Sequence, residues 1–134
     1  MRFVLDSNIV IAALNGVADV KDRLAAVPAG EVGIPIVVIA ELVYGACRSR
    51  RREENLAKLR QLRDSIPVLP ITEGTADRYG ALRADLATRG ISKSDFDILV
   101  ACTALDAGAT LVTHDHALQD RSIADLVVED WLAP

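Results

Sequence analysis

Hydrophobic positions in this chain fall into two alternating kinds of stretch: short, nearly unbroken apolar runs, and longer segments where apolar residues recur every three or four positions. The first is how a strand buried on both faces reads, and the second is an amphipathic helix. Arg2 to Leu5 is the first strand, and Ser7 to Leu14 follows at once as a helix or helical turn. A helix over Asp19 to Val27 is stopped by Pro28 and Gly30, and a strand over Val32 to Ile36 leads into a helix over Val37 to Arg48. Arg51 to Asp64 sets Leu56, Leu59 and Leu62 at helical spacing, and Pro67 to Pro70 is a short strand bracketed by prolines. From Glu73 to Arg89, Ala76, Tyr79, Leu82 and Leu86 mark an amphipathic helix closed by Gly90. The last third repeats the theme with an apolar helix over Ser94 to Ala107 ended by Gly108, and a strand over Ala109 to Thr113. A polar turn over His114 to Asp120 and a final short strand over Leu126 to Val128 complete it. Strands alternating with helices imply an α/β domain with a parallel sheet covered on both faces.

Composition narrows the picture without changing it. The 134 residues suit one domain, with no linker, repeat or low-complexity tract to divide residues 1–134. Charges or turn formers interrupt every apolar stretch well short of the roughly 18 residues that cross a bilayer, so no membrane span is expected. Met1 to Asp6 lacks the apolar core of a signal peptide, and a cytoplasmic location is the expectation. Cys47 and Cys102 lie far apart in apolar helical contexts, as small buried hydrophobes do. Fifteen basic residues against nineteen acidic ones give a net charge of −4, which excludes a protein that coats nucleic acid through overall charge. Any such contact must be local.

The candidate chemistry lies in four acids. Ligands of open parallel sheets bind outside the carboxyl ends of the strands. Asp6 and Asp115 each follow a strand closely, Asp97 sits in the first turn of its helix, and Glu41 lies on the helix after the second strand. Three have ordinary alternatives. Asp6 could cap the next helix, Asp97 could form a capping box with Ser94, and Asp115 sits in a plausible His-Asp-His turn. Glu41 is harder to dismiss, because Val37 to Val43 surrounds it with apolar residues, and no Lys or Arg lies one helical turn away. Two carboxylates about 4 Å apart repel by roughly 4 kcal/mol at an effective dielectric near 20, so such a cluster calls for a cation. An all-oxygen site suits Mg²⁺ or Mn²⁺ better than Zn²⁺. One or two such ions activate water for in-line attack on a phosphodiester.

Four segments carry a resemblance: Phe3-Val4-Leu5-Asp6-Ser7-Asn8, Glu41-Leu42-Val43-Tyr44-Gly45, Phe96-Asp97-Ile98-Leu99-Val100-Ala101 and Leu111-Val112-Thr113-His114-Asp115. In that order and spacing the chain resembles PIN-domain proteins, and within them the VapC toxins of VapBC toxin–antitoxin pairs. Val128-Glu129-Asp130-Trp131 is similar to a common ending in that group. The resemblance implies a three-layer α/β/α domain with a central, mostly parallel sheet, and a ribonuclease that cuts single-stranded or looped RNA, in several members tRNA. It also implies Mg²⁺ or Mn²⁺ held by Asp6, Glu41 and Asp97, with Asp115 as the more variable fourth acid. Ser7 and Asn8 match polar positions that orient the first acid or a water. The implied partners are a VapB-like antitoxin, whose C-terminal segment covers the acidic pocket, and a second copy of the chain in a homodimer. Two departures stand out. Ile34-Pro35-Ile36-Val37-Val38 occupies a place where many relatives have a Ser or Thr helix cap. Asp95, two residues before Asp97, adds a second candidate carboxylate to that turn.

Arg50, Arg51 and Arg52, with Arg48 before and Lys58, Arg60 and Arg63 beyond, could grip RNA phosphates beside an otherwise repulsive acidic pocket. The ordinary alternative is a solvated helix face, supported by Glu54 four residues before Lys58. His114 and His116 read as exposed turn residues rather than metal ligands. Gly30 and Gly33 fit no phosphate-loop spacing. A receiver-like phosphoacceptor domain would need paired acids after the first strand, where Asp6 stands alone. The stronger rival is a noncatalytic PIN scaffold acting through protein contacts.

Overall fold

A computed structural model describes residues 1–133 of the chain. Its strands are β1 (Phe3–Leu5), β2 (Val32–Pro35), β3 (Val68–Leu69), β4 (Thr110–Val112) and β5 (Val128–Glu129). Among the described residues they form one sheet in the order β3-β2-β1-β4-β5, and every pairing is parallel. The sheet is thus wholly rather than mostly parallel. Around it lie α1 (Ser7–Leu14), α2 (Ala18–Ala25), α3 (Ile36–Arg48), α4 (Arg52–Ser65), α5 (Glu73–Thr88), α6 (Asp95–Asp106) and α7 (His116–Gln119), giving the three-layer α/β/α arrangement. No helix among the described residues is long and apolar enough to cross a membrane.

The central strands explain their own apolar runs. Phe3, Val4 and Leu5 are all buried, as are all four residues of β2, because helices cover both faces and leave no wet side to alternate towards. Phe3 pairs with Val32 on one flank and Thr110 on the other. Strand order therefore runs outward in both directions from β1, which makes the carboxyl ends of β1 and β4 the switch point where a crevice opens. Gly90 (φ 69°) and Gly108 (φ 61°) end α5 and α6 in the left-handed conformation that other residues adopt only with strain. Cys47 and Cys102 are free thiols, and burial pushes that of Cys102 up to about 11.

Four features differ from expectation for local reasons. Helix α2 stops at Ala25, because Pro28 biases the residue before it away from helix. Helix α3 begins at Ile36 with no side-chain cap; Pro35 (φ −59°, ψ 142°) closes β2 and turns the chain directly into it. The polar segment after β4 is not only a turn, since His116–Gln119 forms a short helix with Asp115 accepting from the Ala117 N–H at 2.9 Å. The last strand falls at Val128–Glu129, after left-handed turns at Arg121 and Asp125.

Trp131 fastens the β5 edge to the centre. It is 2 % exposed, its ring meets Phe3 edge-on at 5.2 Å, and its Nε1 donates to Glu129 at 3.2 Å. Trp131→Ala should lower unfolding stability by about 3–5 kcal/mol, read from denaturant midpoints; a loss below about 1 kcal/mol would show the edge is held by other contacts.

Candidate active site

Four carboxylates from four elements line the switch-point crevice. Asp6 leaves the carboxyl end of β1, Asp115 follows β4, Asp97 lies in the first turn of α6, and Glu41 sits midway along α3. Asp6 is buried, at 4 % exposure, and the other three are half-buried. Asp6 is also the most tightly held. Its Oδ1 accepts from the Ser7 N–H at 2.8 Å, its Oδ2 from the Thr113 hydroxyl at 2.7 Å, and its own N–H donates to the Val112 carbonyl at 2.9 Å.

Thr113 ties the first acid to the fourth. Fully buried, it gives its hydroxyl proton to Asp6 and accepts from the Asp115 N–H at 3.0 Å. Asn8 adds a second tie, its Oδ1 accepting from the His114 N–H at 3.1 Å, while Ser7 contributes its backbone N–H to Asp6. On α6, the Ser94 hydroxyl accepts from the Asp97 N–H at 3.1 Å, the N-cap half of the expected capping box. The ordinary readings of these acids are thus observed as local structure: Asp6 caps α1, Asp115 caps α7, and Ser94 caps the helix of Asp97. A carboxylate has two oxygens and several lone pairs, so capping leaves each acid free to face the crevice.

The acids feel one another electrostatically. Burial raises the Asp6 pKa, opposed by the bonds from Thr113 and Ser7 and reinforced by Asp115. Glu41 is raised by burial and then by Asp6, Asp97 and Asp115, with no cation acting against them. Asp97 is raised by burial and by Asp115 and Asp6, with relief from Ser94 and from the nearby Lys93 ammonium. As the side chains stand, no three acids or histidines among the described residues enclose a metal ion. The donor set still fits one. It is all oxygen, and it carries excess negative charge that a divalent ion would neutralise.

Asp95 points elsewhere. It is 60 % exposed and bound to α5, accepting from the Tyr79 hydroxyl at 2.7 Å and pairing with Arg83 at 3.1 Å. Arg51 and Arg52 pair with Glu54 and Glu53 at 3.9 and 4.0 Å, and Lys58 with Glu54 at 3.8 Å, the solvated-face pattern weighed for that segment. Their neighbour Arg50 is likewise exposed. The His114 and His116 rings lie 6.2 Å apart, with His114 Nδ1 at 2.8 Å from Asp130. Two site-forming residues escaped sequence reasoning. Thr113 was legible in principle, as a hydroxyl at the end of an apolar strand two residues before an acid. Lys93 had no local signal.

With the site described, the class follows. The chain belongs to the PIN-domain family, whose profile matches residues 3–123. Among its relatives are the tRNA(fMet)-specific endonuclease VapC of Shigella flexneri, 34% identical over 132 residues, and ribonuclease VapC2 of Rickettsia felis, 30% identical over 133 residues, each alignment covering 98% of both chains. The crystal structure of VapBC2 from Rickettsia felis bound to a DNA fragment from its promoter superposes with a TM-score of 0.89 at 29% identity, covering 98% of this chain and 99% of that one.

Glu41 should destabilise the metal-free fold at neutral pH. Its pKa is higher folded than unfolded, so the penalty is complete above the folded value and vanishes below the ordinary glutamate range. Glu41→Gln should therefore raise the melting temperature at pH 7 and lose that advantage on acidification. A gain that persists at pH 3 would point to packing rather than charge.

Proposed function

We propose that this chain is an endoribonuclease toxin: it hydrolyses RNA phosphodiester bonds with Mg²⁺ or Mn²⁺ and is restrained by a cognate antitoxin. The observation that carries the reading is the meeting of Asp6, Glu41, Asp97 and Asp115 at the switch point, each of the first three destabilised by its acidic neighbours. Near end-to-end similarity to ribonucleases, one of them tRNA-specific, supports RNA as substrate, with tRNA the first to test. The complete acid set gives a noncatalytic scaffold no specific support.

A bound divalent ion would supply a polarised water and neutralise charge on the departing oxygen. The residues supply everything around it. Asp6, with both oxygens oriented by Ser7 and Thr113, would be the most firmly held of the acids offered to an ion. Asp97 and Glu41 approach from helices on either side, and Asp115 completes the negative field. Uncompensated, that field would repel a phosphate backbone, and a divalent ion would offset the repulsion. Arg50, Arg51 and Arg52 are the proposed outlying phosphate contacts.

An antitoxin segment has a surface to occupy. A cavity of about 210 Å³ between α1, α3 and α4 is lined mainly by Ile11, Leu14, Leu42, Ala46 and Leu59, with Glu41 and Lys58 also among its walls. An amphipathic segment with a basic residue fits that combination, the apolar groups filling the groove while the cation reaches Glu41. Structural neighbours described as VapBC assemblies support a VapB-like partner. A homodimer and a cytoplasmic location belong to the same proposal.

Asp6→Asn and Asp97→Asn should each abolish chelator-sensitive RNA cleavage while leaving the circular dichroism spectrum unchanged; normal cleavage by either variant would strike that residue from the site. Neutralising Arg50, Arg51 and Arg52 together should weaken RNA binding and flatten its salt dependence, and an unaltered slope would assign them to the solvated face.

A further inference from the structure

Lys93 lies in the loop between α5 and α6, one residue before the cap of α6. Its side chain is only 2 % exposed, unusual for a lysine on a loop. Burial on that scale requires acceptors, and the ammonium has two from a distant segment: the Ala117 carbonyl and Asp120 Oδ2, the latter at 2.8 Å. Asp120 answers as a true ion-pair partner, its carboxyl held down at about 2 by the bond from Lys93 and by Ser122.

Ala117 is the informative contact. Its carbonyl accepts from Lys93, while its N–H donates to Asp115 Oδ1 at 2.9 Å. On the other side, Lys93 is bonded in sequence to Ser94, whose hydroxyl receives the Asp97 N–H. A continuous path thus runs from Asp115 through Ala117 and Lys93 to Ser94 and Asp97. It joins the two acids that come from separate elements and repel each other across the crevice. Backbone geometry inside α6 or α7 cannot fix their separation, because it belongs to neither helix.

We propose that Lys93 is a positioning residue: a buried strap between the start of α6 and the short helix α7 that limits how far Asp97 and Asp115 can separate, and so keeps both available to one divalent ion. This rests on the carboxylate-site reading above. The strap acts through the backbone of Ala117 and Ser94 and touches neither substrate nor ion.

The test uses the full chain as wild type, Lys93→Met, Asp120→Asn and Asp97→Asn, with Mn²⁺ as the probe. Free Mn²⁺ is followed by electron paramagnetic resonance, alongside thermal unfolding and amide hydrogen exchange at Ala117. Lys93→Met should weaken Mn²⁺ binding by about tenfold, as loss of a ligand-orienting group commonly does, and speed exchange at Ala117. Asp120→Asn, a milder change at a partly exposed position, should move both in the same direction by less, and keeps the question open to measurement should Lys93→Met not fold. A lowered melting temperature with unchanged Mn²⁺ affinity in these variants would reduce Lys93 to a structural residue and overturn the strap alone. Wild-type protein that binds no Mn²⁺, or binds it equally well as Asp97→Asn, would overturn the carboxylate site and the strap with it.

Discussion

Repulsion among carboxylates that the fold forces together is the constraint from which the rest of this molecule follows. Asp6, Glu41 and Asp97 are each driven towards protonation by burial and by their acidic neighbours. A chain selected for stability alone would separate or neutralise them. Instead, hydrogen bonds from Thr113 and Ser7 hold Asp6 in place, a serine cap sits under Asp97, and a buried ammonium stands near it. Such compensation offsets part of the cost of gathering like charges.

The parallel sheet makes that concentration possible. With β1 at the centre and connections leaving it in both directions, the carboxyl ends of β1 and β4 lie side by side, and the chain segments after them emerge into one crevice. Phe3 to Leu5 is buried on both faces, so Asp6 stands at the end of one of the most rigid elements in the fold. Half-buried Glu41 and Asp97 come from α3 and α6, two helices that touch each other. An apolar groove lined by Ile11, Leu14 and Leu42 reaches Glu41.

Much of the fold was legible along the chain. Runs such as Phe3–Leu5 and Val32–Pro35 lack alternation because both faces of the strand are covered, and Gly90 and Gly108 punctuate helices through conformations that favour glycine. Boundaries slipped where local energetics are nearly balanced, as at α2 before Pro28 and at the uncapped start of α3. The short helix α7 was missed because four polar-rich residues carry no period; it forms only because Asp115 caps it and Leu118 finds a place in the core.

By itself, the sequence determined the element types, the parallel α/β class and a roster of acids near strand and helix ends, since periodicity, capping and turn chemistry are local properties of neighbouring residues. Only the tertiary structure decided which acids share a space. It turned Asp95 away to Tyr79 and Arg83, and brought Thr113 to Asp6 across 107 residues and Lys93 to Asp120 across 27. Partnerships of that kind depend on strand order and on the direction each side chain leaves its backbone, which no stretch of neighbouring residues encodes.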